Sequence, residues 1–543
     1  MKRTFDGLRH HTPVAALLFV LLLILLYNLG GWGVIESSEA RYAEISREML
    51  LSGEWLRPRL LGIQHFHKPP ITYMISAAGM GLFGVHEFGV RFFLQFSLVL
   101  QAWLVYLIAL ELFGSRRMAF TALVIYVTMP AVLISARNLT TDSFLTTFEL
   151  LAIWAWLRYK PGKRPAWLYL FYLALSLAFL TKGPVGLIFP VLVVVGYRAR
   201  HSIGRPSLSH HLTALVLFLV LSGSWYFYLM WQDPRFVDYF LLKHIVARYT
   251  SPETFSRSEP WWFYLAVIPA LTLPWSAMLL LHFQKLRKLI PDHKRLFLLW
   301  LLVPLVFFSF SSSKLILYVL PMLAGIALLI SWLLFQLTSN ELRIISIITF
   351  LYLGLVVLGL VLLPVLPLDL TVPLPLVVCA VLLLAVLYLI WRFVDTGIAQ
   401  VMAAALMFTF FLIPFSTHLL GANAAQLNPS TALANLIRQE GLQNRTIIVY
   451  DRLLPSLAFE LNKDIVFVSD QHHSLQRETQ FETSDAWRNH LLRIQDRQDS
   501  ARLQEMLRSQ SVLISKRNLP VNRDWLRQPF ANSKKAGVWI IYN

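Results

Sequence analysis

Long apolar runs separated by short polar stretches fill the first 420 or so residues of the chain. The first covers 13–29 and follows a start that carries Lys2, Arg3 and Arg9. No A-x-A-like cleavage site follows it, so it reads as an uncleaved first span rather than a signal peptide. A window of roughly 19 residues finds about twelve more spans. They lie near 88–113, 117–136, 141–158, 166–182, 184–198, 210–232, 260–283, 296–311, 315–336, 343–364, 373–394 and 398–420. The pattern changes near Asn428. Residues 446–450 and 464–468 read as short buried strands, 485–508 as helix, 511–515 as strand and 538–542 as a closing strand. The expected fold is an α-helical polytopic membrane protein of about 13 transmembrane helices, residues 1–425, followed by a small α/β domain, residues 426–543. A tail of about 115 residues is large enough to fold on its own. It has no glycine-rich phosphate loop, which argues against a nucleotide site.

Composition agrees with the pattern. The 543 residues are 57% hydrophobic and 14% charged, against about 25% charged in soluble domains. The net charge of +18 would suggest nucleic acid in a soluble protein, but here its distribution follows the loops. Arg116 and Arg117; Arg158, Lys160, Lys163 and Arg164; Arg198, Arg200 and Arg205; and Lys285, Arg287, Lys288, Lys294 and Arg295 fall in alternate loops. Basic residues in short loops stay cytoplasmic. That places the N-terminus in the cytoplasm and the residues after about 421 in the periplasm, so the positive charge is a topology signal and no nucleic-acid partner is implied. The only cysteine, Cys379, excludes a disulfide framework and a thiolate zinc site.

Two outer segments are long, 31–86 and 232–259. In the first, Tyr42, Ile45 and Met49 recur at helical spacing, with Glu44, Arg47 and Glu48 on the other side. This predicts a helix lying in the membrane interface. The topology also puts several polar residues on the outer ends of the spans: Glu36, Glu39, Lys68, Asp142, Lys182, His244 and Lys314. Each alone is explained as an interfacial snorkel or a loop ion pair. Together they suggest one outward-facing cavity. Glu36 and Glu39 suit a general base or a metal ligand, and equally a helix cap. Asp142, after Thr140-Thr141, has the same two readings. His65 and His67 could supply two metal ligands. Lys182 and Lys314 are costly at span ends unless they meet an anion such as phosphate.

These residues also carry a resemblance. The stretch Arg41-Tyr-Ala-Glu-Ile-Ser-Arg-Glu-Met49, then Ser52-Gly-Glu-Trp55, Pro58, Leu60-Leu-Gly62 and Phe66-His-Lys-Pro69, is similar to the first outer loop of the polytopic glycosyltransferases that use polyprenyl-phosphate sugars, the protein O-mannosyltransferase superfamily. Within it the chain most resembles the lipid A aminoarabinose transferases, the ArnT family. Leu139-Thr-Thr-Asp142, Leu180-Thr-Lys-Gly183, Lys243-His-Ile245 and Ser313-Lys314 with Tyr318 extend the likeness over about residues 30–325.

The resemblance implies a GT-C type membrane bundle of the bacterial inner membrane. It implies transfer of a sugar, with inversion, from undecaprenyl phosphate to a periplasmic-side acceptor: lipid A, another glycolipid, a polysaccharide or a protein. It implies Lys68, Lys182, Lys314, Arg41 and Tyr318 around the donor phosphate, and Glu39, Asp142 and Glu36 as acids. It also implies zinc or another divalent metal at His67 and His244, with membrane lipids as partners and a monomeric protein. Two positions depart from the family. Ser38 stands where an Asp is usual, and His67 where the similar transferases have Glu. A transporter or flippase of a lipid-linked substrate is the alternative. Internal repeats and midplane charges would mark one, and neither is evident. A non-catalytic membrane anchor for the tail is a third reading, and it gives Lys182 and Lys314 no role.

Overall fold

The computed structural model describes residues 12–160, 164–197, 208–240, 259–311, 313–472 and 476–543. By compactness the chain divides into two units. One comprises Met1–Tyr27 and Leu94–Phe415; the other comprises Asn28–Phe93 and Ser416–Asn543.

The first unit is helical. Among the described residues of the whole chain, seven helices are long and apolar enough to cross a membrane, or nine if each of two bent pairs counts as one span. The protein is thus multi-pass, but the figure of 13 is not reached by these criteria. Thr12–Leu26 is only 15 residues long. The two spans expected on either side of Gly183 form one run, Ala166–Gly196, through a 3-10 turn at Gly183–Leu187. The expected 296–311 span is divided among Pro291–Phe297, a π-helical turn at Leu298–Leu302, and Val303–Ser309. Proline explains both bends. Pro130 opens the second half of Arg116–Val127 and Pro130–Arg137, bent by 59°, and Pro274 precedes the second half of Phe263–Leu271 and Trp275–Lys288, bent by 113°; a proline lacks the N–H that would continue the preceding helix.

Helices such as Leu208–Gln232 and Ser339–Leu362 leave Val216, Val220, Phe227, Leu351 and Leu355 exposed. In water such faces would associate; in a chain this apolar they are lipid contacts. The interior of the unit is built on aromatic side chains whose polar ends find partners. Trp275 Nε1 donates to Thr128 Oγ1 at 3.0 Å, Trp300 Nε1 to the Pro321 carbonyl at 3.2 Å, and the Tyr126 hydroxyl to Gln101 Oε1 at 2.7 Å.

The second unit is an α/β layer structure. The tail forms a six-stranded sheet of β3 (Thr446–Tyr450), β4 (Val466–Ser469), β5 (Leu491–Arg493), β6 (Ser511–Ser515), β7 (Ser533–Ala536) and β8 (Trp539–Tyr542) in the order β5-β4-β3-β6-β8-β7. The first four strands of that order are parallel and the last two antiparallel. The expected helix over 485–508 is half right. Asp496 caps a helix at Arg497–Arg508, its side chain accepting the Gln498 and Asp499 N–H groups. Leu491-Leu-Arg493, a short apolar run, instead adds a strand to the sheet edge.

Side chains alternate across the strands. Ile447, Val449, Phe467, Leu491, Val512 and Ile514 face one core; Ile448, Val466, Val468, Leu492 and Leu513 face the other, with Leu503 and Leu507 of the Arg497–Arg508 helix. The first core is completed by residues some 400 positions earlier in the chain: Ile45, Met49, Leu60, Leu61, Ile63 and Tyr73. This corrects the reading of 39–49 as an interface helix. The Ser38–Ser52 helix packs against the Pro455–Leu461 helix and turns into this core the Ile45 and Met49 side that was expected to meet lipid. Glu44, Arg47 and Glu48 on its other side are buried as well. Arg47 makes a bidentate pair with Glu44 at 2.8 Å and reaches Asp464 at 3.0 Å. Next, β1 (Arg59–Leu60) and β2 (Ile63–Gln64) form a hairpin whose two-residue turn, Leu61 and Gly62, has φ of 52° and 74°. Gly62 N donates to Glu48 at 3.1 Å.

Candidate functional site

In the first unit the helices Thr141–Arg158 and Ala166–Lys182 pack side by side. The seven residues between them make the pair antiparallel, so the start of one lies beside the end of the other. Asp142 occupies the first turn of its helix and Lys182 the last position of its own, the ends where a carboxylate and an ammonium are each favoured by the helix dipole. The two form a buried ion pair between Lys182 Nζ and Asp142 Oδ1. The ammonium also lies 4.1 Å from the centre of the Tyr318 ring. Tyr318 sits in a 3-10 turn, Ile316–Val319, steadied by the Tyr264 hydroxyl donating to the Leu315 carbonyl at 2.9 Å. Three of the sequence-derived residues therefore meet at one point.

Lys314 is placed differently. Its ammonium is buried and donates to the carbonyls of Glu259 at 2.7 Å and Ser311 at 2.8 Å. It holds backbone at this point of the chain.

One residue of this region was not singled out from the sequence. Glu149 follows Asp142 by seven positions on the same helix and is fully buried, with no hydrogen-bond partner on either carboxylate oxygen among the described residues. Seven residues are two turns, so both acids share a helix face. An ionisable residue in the middle of an apolar run was the signal available.

In the second unit the first-loop acids are engaged by the fold. Glu39 Oε1 and Oε2 accept from Arg91 Nε and Nη2 at 2.8 and 2.9 Å, and Oε2 also accepts the Ile35 N–H at 2.9 Å. Arg91, fully buried, donates in turn to the carbonyls of Leu29, Trp32 and Gly33. Glu36 accepts from the N–H of Ser456 at 2.9 Å and from its hydroxyl, which caps the Pro455–Leu461 helix; burial nonetheless pushes its carboxyl above the usual range. Both acids act as caps and clamps, the structural alternative weighed for them. Arg41, His67 and Lys68 are half-buried, and the His67 ring lies 3.9 Å from that of His65, centre to centre. Among the described residues no three His, Cys, Asp or Glu side chains converge as a metal site would require. His244 lies outside the described residues.

Two crystal structures of ArnT from Cupriavidus metallidurans, one apo and one bound to undecaprenyl phosphate, match this structure with a TM-score of 0.78 over 98% of this chain and 98% of theirs, at 21% identity. The fold is that of ArnT. A family model described as dolichyl-phosphate-mannose-protein mannosyltransferase matches residues 12–240, a range that holds Asp142, Glu149 and Lys182 and ends before Lys314 and Tyr318. The chain is 34% identical over 319 residues to undecaprenyl phosphate-alpha-4-amino-4-deoxy-L-arabinose arabinosyl transferase 2 of Pseudomonas fluorescens, covering 58% of each chain. It is 32% identical over 330 residues to the corresponding transferase of Pseudomonas aeruginosa, covering 59% of each. The likeness in sequence thus takes in under two thirds of these relatives, whereas the ArnT fold takes in nearly the whole chain. The resemblance carried by the first-loop, Asp142 and Lys182 motifs is the one these comparisons find.

Proposed function

We propose that the protein is a glycosyltransferase of the bacterial inner membrane that moves a sugar from undecaprenyl phosphate to an acceptor on the periplasmic side, with 4-amino-4-deoxy-L-arabinose as the sugar and lipid A as the acceptor. The observation that carries this reading is the buried Lys182 ammonium, held between Asp142 and the Tyr318 ring, in a fold shared with a protein that binds undecaprenyl phosphate. The orientation is the one the loop charges favour, with the N-terminus in the cytoplasm and the tail in the periplasm.

The chemistry follows from charge. As the bond between the anomeric carbon and the phosphate oxygen breaks, negative charge grows on the departing phosphate and positive charge on the sugar. A preorganised ammonium at the phosphate stabilises that state more than the ground state. Lys182 fills this role, with Lys68 and Arg41 as further cations. The acceptor oxygen attacks the anomeric carbon from the face opposite the phosphate, which inverts it. A lipid A phosphate arrives as an anion and needs no base; a hydroxyl acceptor gives its proton to Asp142 once Lys182 has turned to the donor. Glu39 and Glu36 shape the first loop and take no proton from the acceptor. His67 and His244 would supply ligands to zinc or another divalent metal, which would add Lewis acidity on the phosphate side.

The test uses the purified full-length chain with the undecaprenyl-phosphate-linked aminosugar and lipid A, followed by mass spectrometry. The expected result is a mass increase of one aminopentose on lipid A with the wild type and none with Lys182→Ala. Unmodified lipid A together with no loss of donor would remove the reading.

A further inference from the structure

We propose that Glu149 is a positioning residue that competes with Asp142 for the Lys182 ammonium, giving that lysine a second station away from the donor phosphate. The inference rests on Lys182 being the phosphate ligand of the transferase. Asp142 and Glu149 lie two turns apart on one face of the same helix. Asp142 holds the Lys182 ammonium, and Glu149, fully buried, accepts no hydrogen bond on either oxygen among the described residues. Long helical side chains lean toward the start of their helix, the direction in which Asp142 lies, a rise of about 10 Å away.

A buried acid without donors is a cost that folding alone does not call for, since glutamine or leucine would fill the same space. The cost is offset when Lys182 swings onto it. Such a swing removes the ammonium from the phosphate. It would weaken the hold on the product, undecaprenyl phosphate, which carries more charge than the donor diester and would otherwise leave slowly. Asp142 is released by the same movement.

The measurement is the affinity of the full-length, detergent-solubilised protein for undecaprenyl phosphate. Removing the competing carboxyl should strengthen binding: Glu149→Gln is expected to bind about tenfold tighter than wild type, and Glu149→Asp to fall between them. In a Lys182→Ala background the same Glu149→Gln change should have no effect, which a purely structural role would not predict. Unchanged or weaker binding by a folded Glu149→Gln protein overturns the inference. So does failure of both Glu149 variants to fold, because it would show that the acid serves the fold itself. If Lys182→Ala alone binds undecaprenyl phosphate as tightly as wild type, the phosphate role of Lys182 is what fails instead.

Discussion

The Lys182 ammonium lies 4.1 Å from the centre of the Tyr318 ring while it is paired with Asp142. A ring face attracts a cation without presenting a hydrogen-bond acceptor that would fix it, so Tyr318 can hold the lysine in place while leaving it able to turn to another anion. The ring should matter and the hydroxyl should not. Tyr318→Phe is expected to keep near-wild-type transfer, and Tyr318→Leu to lose about fivefold in kcat/KM, the equivalent of about 1 kcal/mol for a partly desolvated cation–π contact. Equal rates for the two variants would mean the ring face does nothing.

The Glu39–Arg91 clamp gives a prediction opposite to the catalytic reading of Glu39. Both side chains are buried, and Arg91 ties Glu39 to three backbone carbonyls at the start of the first loop. Arg91→Ala takes the bidentate cation away from a buried carboxylate and should cost about 3–5 kcal/mol, seen as loss of folded protein in membranes. Glu39→Gln should lower thermal stability in detergent while the surviving folded fraction still transfers sugar. A stable Glu39→Gln protein without activity would restore Glu39 to the chemistry.

What the sequence disclosed depended on how local each signal was. Spans and tail strands are written in continuous runs of neighbouring residues, and β3 and β6 fall where the short apolar runs put them. Asp142 and Lys182 stand at helix ends beside motif residues, so their chemistry was visible even though their contact spans 40 positions. Pairings set by distant packing were not visible. Nothing near Glu39 points to Arg91, 52 positions away. The apolar stripe of Ile45 and Met49 has the same appearance whether lipid or the core of the second unit covers it. Glu149, between Phe148 and Leu150, interrupts an apolar run at its middle, whereas attention to the outer ends of the spans favoured other residues. Leu491-Leu-Arg493 is too short for periodicity to separate strand from helix.

Gly62 holds the first-loop hairpin against the tail. Its φ of 74° suits glycine, its N–H serves Glu48, and a Cβ there would stand 2.3 Å from the His490 ring. Gly62→Ala combines backbone strain with a clash and should cost about 2–3 kcal/mol. Proteolysis should then cut between residues 52 and 70 faster than in wild type, with the membrane helices unaffected. Unchanged protection would show that the hairpin can shift aside freely.

Glu460 makes the stability of the second unit depend on pH near neutrality. Burial, with the nearby Glu87 and Glu36, raises its carboxyl to about 7, against opposing contributions from the Thr431 hydroxyl and Arg438. The folded state therefore binds this proton more tightly than the unfolded chain does. Its contribution is present in full below about 4.5, declines as pH rises through about 7, and is gone above that. The loss is at most about 3 kcal/mol for a single shifted group. Unfolding of the full-length protein, followed by tail tryptophan fluorescence at Trp487, Trp525 and Trp539, should have a midpoint that falls between pH 5 and 8. Glu460→Gln, which keeps an acceptor for Thr431 and cannot ionise, should flatten most of that slope and be the more stable protein at pH 8. Glu36, also raised by burial, accounts for a residual slope in the same direction. A wild-type midpoint that rises with pH over this interval would contradict the sign and show that Glu460 is held ionised by its partners.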